Sequence, residues 1–201
     1  VSSLGDSTLT RLIEELGART PAPGGGAAAS VTAAVGAGLG AMVINWSLGR
    51  KSLAEHETDN DARLAHLRRG AERALELADE DARGYEALNR LMKLPEDDPD
   101  RTARWDDAVD GAMRPPMDTL TLCRDLVDTL VAMLGTTNPM LKSDLAAAAV
   151  LVEAAGRTAA WNVHANLPLV PADRAAELEG TVGAHLAQLR ELVHRVEHGC
   201  R

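Results

Sequence analysis

The stretch Pro21-Ala-Pro-Gly-Gly-Gly-Ala-Ala-Ala-Ser30-Val-Thr-Ala-Ala-Val-Gly-Ala-Gly-Leu-Gly40 decides the fold class of this 201-residue chain. Residues 18–26 read as a turn, because prolines and glycines sit in a helix interior only at a penalty. From Gly25 to about Ser47 alanine dominates and a helix is predicted, although Gly36, Gly38 and Gly40 each cost about 1 kcal/mol relative to Ala. Gly26, Ser30, Ala34 and Gly38 recur every four residues, and Ala33, Ala37 and Ala41 form a second such row. Neighbouring backbones can therefore approach closely, as around a central helix packed on several sides. Residues 27–46 are uncharged over a length that would cross a bilayer. Ala and Gly dominate there, with only scattered Val31, Val35, Leu39, Val43 and Ile44, so no membrane span is expected.

Outward from this segment, helical spacing continues in both directions. Upstream, Asp6 or Ser7 can cap an amphipathic helix carrying Leu9, Leu12, Ile13 and Leu16, with Gly17 as its stop. Downstream, a polar link from Leu48 to Asn60 leads into a long charged helix running to Pro95. Its apolar stripe includes Leu64, Leu67, Leu75, Ala78, Ala82, Tyr85 and Leu88. After an acidic loop, Glu96 to Asp100, a helix is predicted from Arg101 to Met133, interrupted or kinked at Pro115-Pro116. Beyond a turn at Gly135 to Pro139, Ser143 or Asp144 begins an Ala-rich helix through Trp161 and Asn166, and Asp173 opens a last one ending near Gly199. No segment alternates as a strand would. The expected architecture is all-α, an elongated bundle of about six or seven helices in one domain over residues 1–201.

Composition narrows the function classes. A formal net charge of -9 argues against a general nucleic-acid binder, which needs Lys and Arg to displace counterions. Cys123 and Cys200 lie far apart and outside zinc-ligand spacing, which suggests neither a metal framework nor a disulfide scaffold and fits a cytoplasmic setting. The chain opens on Val1 with no basic-then-apolar leader in view, so no secretory signal is expected, and the missing initiator Met hints at trimming.

Four groups carry candidate chemistry. Gly24, Gly25 and Gly26 open a helix whose exposed N–H groups and dipole can hold an anion, although a tight turn and close packing explain the same glycines. Asp79 and Asp81 flank Glu80 in mid-helix and point to different faces. One of them can face the bundle, where desolvation would suit it to proton transfer; a solvated charge cluster is the competing reading. Asp144, beside Ser143, reads as a helix-cap residue. Asn162 and Asn166, four apart, can offer carboxamide donors and acceptors to a heterocycle or can simply bond between helices. Glu191, His194 and His198 have spacings a metal site uses but lack the second Glu-x-x-His of a di-iron bundle, so no metal is expected.

Taken in order, several of these segments resemble the cyclodeaminase/cyclohydrolase family, which forms the C-terminal half of formiminotransferase-cyclodeaminase and also occurs alone as methenyltetrahydrofolate cyclohydrolase. The resemblance rests on Pro21 to Gly26 with its Ala/Gly helix, Met42-Val43, Gly49-Arg50-Lys51, Asp79-Glu-Asp-Ala82 with Tyr85, Lys93-Leu94-Pro95, Asn138, Ser143-Asp144-Leu145, and Asn162-Val163 with Asn166-Leu167. It implies a homodimer of helical bundles, a folate cleft at or near the subunit interface, and no metal or redox cofactor, the tetrahydrofolate derivative being substrate. It further implies Asp79 or Asp81, with Asp144 as a third candidate, as the acid/base. Gly24 to Gly26 would line the cleft, Asn162 and Asn166 would orient the pterin, and Arg50 and Lys51 would meet the glutamate tail, which can be polyglutamylated. The chain as given carries no formiminotransferase domain, which favours cyclohydrolase over cyclodeaminase as the expectation. His164-Ala165 departs from the larger apolar residues expected between the two asparagines.

Overall fold

The structure, a computed structural model, describes residues 3–201; Val1, where trimming was inferred, lies outside them. Six helices follow one another: α1 Leu9–Leu16, α2 Gly25–Asn45, α3 Glu57–Met92, α4 Pro99–Ala132, α5 Lys142–Asn166 and α6 Ala172–Cys200. Short 3-10 turns at Leu4–Asp6, Lys51–His56, Pro139–Leu141 and Leu167–Leu169 connect or flank them, and there is no strand among the described residues. The cap readings hold only in part. Gly17 ends α1 as expected, but Thr8 rather than Asp6 or Ser7 caps its start. Neither Ser143 nor Asp144 caps α5, nor Asp173 α6, because those residues lie inside first turns whose N-caps, Leu141 and Pro171, make no side-chain cap hydrogen bond. The Thr8 side chain accepts from Arg11 N at the start of α1, and Asp98 accepts from Asp100 and Arg101 at the start of α4. Helix α3 begins at Glu57, so the link before it is shorter than the sequence suggests.

Helix α2 packs against α3, α5 and α4. Ala27, Ala33, Ala37, Val43 and Ile44 are completely buried on it, so a segment with the length and hydropathy of a membrane span is used as interior packing. Its small residues set the distances. A Cβ at Gly36 would come within 2.6 Å of Val152 Cγ2 on α5, and one at Gly40 within 2.7 Å of Leu130 Cδ2 on α4. Gly38 differs from both, because a Cβ there would meet nothing within 4 Å. Leu64, Leu67, Leu126, Leu130, Val152, Leu189 and Val193 complete the main core around this helix.

Pro115 and Pro116 do not break α4, which runs on through both buried rings. Each proline lacks the N–H that would bond four residues back, which leaves the carbonyls of Gly111 and Ala112 without their helical donors. Both carbonyls meet neighbouring helices. Asn166 Nδ2, at the end of α5, donates to Ala112 O at 3.2 Å. The Gly111 carbonyl lies so close to Gly84 of α3 that a Cβ on Gly84 would overlap it.

Candidate active site

The acidic triplet on α3 divides into three environments. Asp79 Oδ1 accepts from the backbone N–H of Leu4 at 2.7 Å and so ties the N-terminal turn to α3. Glu80 accepts from Arg73 at 2.7 Å and lies 3.5 Å from Arg114 of α4, and the Arg73 hydrogen bond holds its carboxyl below the usual range. Asp81 points inward. It is 9% exposed, forms no ion pair among the described residues, and burial pushes its carboxyl up to about 6, against a smaller opposing pull from the backbone of Ala27.

Gly26 is what admits Asp81. A Cβ at Gly26 would overlap the Asp81 carboxyl, so only glycine lets this side chain lie on the first turn of α2. The carboxyl is thus both desolvated and placed at the positive end of a 21-residue helix. Around it opens a cleft of about 290 Å³, walled by the Pro21–Gly26 turn, Asp81 and Tyr85 of α3, Ala112 of α4, and Asn162, Ala165 and Asn166 of α5. Gly25 packs on the Asn162 carboxamide, with a hypothetical Cβ 3.3 Å from both of its polar atoms.

Each asparagine is anchored by one backbone carbonyl: Asn162 Nδ2 donates to Thr158 O at 2.9 Å, and Asn166 Nδ2 donates to Ala112 O. Each bond takes one of two amide hydrogens, so each carboxamide keeps its oxygen as an acceptor and a second N–H as a donor. The cleft therefore combines two anchored carboxamides, one carboxyl, the Tyr85 side chain and the first backbone N–H groups of α2. Small Ala165 opens the wall between the asparagines, and His164 is turned away toward Glu179 of α6 at 3.5 Å.

Of the residues singled out in the sequence, the structure brings together Gly24, Gly25, Gly26, Asp81, Asn162 and Asn166. It does not bring the others to this cleft within one protomer. Asp79, two residues from Asp81, faces a separate groove of about 720 Å³ between α1, α3 and the outer side of the Pro21–Pro23 turn. Asp144 lies in the first turn of α5, about 27 Å along the helix from Asn162. Arg50 and Lys51 follow the far end of α2, about 30 Å from Gly24, and both are exposed. Tyr85, 41% exposed, and Ala112 are cleft residues that the sequence did not assign. The four-residue step from Asp81 was the available signal for Tyr85. Nothing local announced Ala112.

A family profile described as formiminotransferase-cyclodeaminase matches residues 8–182. The chain is 30% identical to a methenyltetrahydrofolate cyclohydrolase of Methylorubrum extorquens over 94% of its own length and 95% of that protein. It is 31% identical to the formimidoyltransferase-cyclodeaminase of Sus scrofa over 85% of its length, spanning 32% of that longer protein. The solved structure of formiminotetrahydrofolate cyclodeaminase from Thermotoga maritima superposes with a TM-score of 0.88 at 24% identity, covering 98% of this chain and 96% of that one, which shows a common fold. From the profile match and the near full-length likeness together, the chain belongs to the formiminotransferase-cyclodeaminase family.

Proposed function

We propose that this chain is a methenyltetrahydrofolate cyclohydrolase, converting 5,10-methenyltetrahydrofolate and water to 10-formyltetrahydrofolate in the cytosol, with Asp81 as the acid/base. The observation that carries the reading is the buried Asp81 carboxyl, held near 6 in a cleft it shares with the Asn162 and Asn166 carboxamides. The methenyl bridge is a cationic amidinium, and a carboxylate beside carboxamide oxygens attracts it. At neutral pH the Asp81 carboxylate takes a proton as water adds to the bridge carbon, giving a neutral carbinolamine. The acid so formed protonates N5 as the C–N5 bond breaks, and the hydroxyl proton leaves as the formyl C=O forms, returning through Asp81 to solvent. One water is consumed and one proton released. The steps are proton transfers and a C–N cleavage, so the proposal calls on no metal or redox group.

Asn162 and Asn166 hold the pterin edge in this reading, and the N–H groups at Gly25 and Gly26 face a ring oxygen. Full-length coverage of the Methylorubrum extorquens relative favours cyclohydrolase. Cyclodeamination is the second reading, supported by the Sus scrofa relative and by a carboxyl near 6 that can protonate departing ammonia. The test is loss of the near-ultraviolet absorbance of methenyltetrahydrofolate in a buffer where the spontaneous reaction is slow, alongside ammonia release from 5-formiminotetrahydrofolate. Absorbance loss without ammonia supports the first reading, and ammonia release replaces it with the second. Folate binding without either reaction would make the protein a binding module and refute both.

A further inference from the structure

The cleft has room for a cation and supplies none of its own. Asp81 is the one carboxyl in its wall, and among the described residues no Arg, Lys or His lines it. Burial is the chief influence on that carboxyl, and no charged side chain of the protein offsets it. Once ionised, Asp81 is left to attract a positive group from outside.

Tyr85 stands one turn beyond Asp81 on α3, the spacing at which two side chains meet on one helix face, and both line the cleft. The chain has no Phe and a single Tyr. Of its Trp residues, Trp105 packs with Leu88 and Val109, while Trp46 and Trp161 lie outside the cleft wall. Tyr85 is therefore the only aromatic ring among the described residues that borders this cavity. It is half-exposed and belongs to none of the apolar clusters, so its ring is not there to fill the core. Trp105 shows how the fold treats an aromatic face elsewhere, since Arg101 lies over that ring at 4.6 Å. Tyr85 enters no aromatic or cation–π pair among the described residues. The face of such a ring is the negative side of its quadrupole and attracts a cation, most strongly where water is excluded. A carboxyl without an ion pair and a ring without a cation thus converge on one cavity of about 290 Å³.

That pairing sorts ligands by charge and by shape. A compact ammonium holds its water strongly, whereas a flat delocalised cation is weakly hydrated and offers a plane that a ring can cover. We propose that Tyr85 is a specificity-determining residue: with Asp81 it selects a planar, delocalised cation, the ring covering the plane while the carboxylate meets the charge. Only the identity of that cation rests on the folate reading above, where it is the amidinium of the methenyl bridge. Water addition discharges this amidinium, and 10-formyltetrahydrofolate is neutral at the same atoms. The product loses the attraction of the ring and leaves a cleft that prefers substrate. Tyr85 thus acts through unequal binding of substrate and product rather than through the transition state, and its loss falls on KM.

Two ligand pairs test this, one of them independent of activity. Benzamidinium and benzamide share a shape and differ in charge, and NMR titration should find the wild type preferring the cation. Tyr85→Leu should cut that preference about five- to thirtyfold, the range of a cation on a partly desolvated aromatic face. Tyr85→Phe keeps the face, drops the hydroxyl and should retain the preference; circular dichroism checks that both variants stay helical. In turnover, Tyr85→Leu should raise KM for methenyltetrahydrofolate by a similar factor while the inhibition constant of 10-formyltetrahydrofolate moves much less. A charge preference indifferent to Tyr85→Leu overturns the assignment. So does an equal loss for cation and neutral partner, or a loss in Tyr85→Phe as large as in Tyr85→Leu. A wild type that turns over no folate, yet prefers benzamidinium through Tyr85, would sink the proposed function and leave the charge selection standing.

Discussion

At the scale of single residues, Asp81 links activity and stability with opposite signs. Its folded carboxyl sits near 6 against an ordinary 3.8, because burial disfavours the charged form. The folded state therefore holds this proton more tightly than the unfolded one. That contribution to stability is complete below about 3.8 and is lost as pH rises through 6, leaving a penalty of ~3 kcal/mol at pH 8. Asp81→Asn stays neutral at every pH. It should lower turnover about 100-fold or more, yet melt several degrees higher than wild type at pH 8 in thermal denaturation, the difference closing near pH 4. For the wild type, kcat/KM should fall as pH drops through about 6 and the base becomes protonated. Gly26→Ala would force the same carboxyl aside, and a displacement of that kind costs about 100-fold in rate. Methenyl absorbance kinetics check both.

The sequence offered Asp79 and Asp81 together and could not choose between them. Both lie near the apolar stripe of α3, and what separates them is a contact 55 residues distant, the bare Cα of Gly26. A triplet of acids also looks like solvated surface until Arg73 and Arg114 take Glu80 and Leu4 N takes Asp79.

At the scale of elements, helices were the most readable part of the chain. Periodicity and the proline and glycine punctuation located all six because those signals are local, while the capping residues of α1, α5 and α6 were placed a few positions off. Of the two readings open for the α4 prolines, interruption or kink, interruption fails, since a sequence shows the lost donors but not the neighbours that meet the freed carbonyls. One such meeting is Gly84 with Gly111, where α3 and α4 touch backbone to backbone three residues from Asp81. Gly84→Ala must push the helices apart and should destabilise the fold by about 1–3 kcal/mol in chemical denaturation. Gly111→Ala, whose Cβ would point into open space, should lie within about 0.5 kcal/mol of wild type or above it.

At the scale of the whole molecule, the chain sorts its chemistry to two ends of a bundle. Helix rise alone separates Asp144 from Asn162 by about 27 Å, a distance already present in the sequence. Arg50 and Lys51 are remote from Gly24 for the same reason, since the 21 residues of α2 stand between them with about 30 Å of rise.

The prolines of α4 have one more consequence. A free carboxamide can flip and present either end to a visitor. Because Pro116 has no N–H for Ala112 O, that carbonyl takes one amide hydrogen of Asn166 and holds the group one way round. The oxygen and the second N–H then keep fixed places in the cleft wall, so a hydrogen missing from one helix sets the order in which a side chain of another offers acceptor and donor.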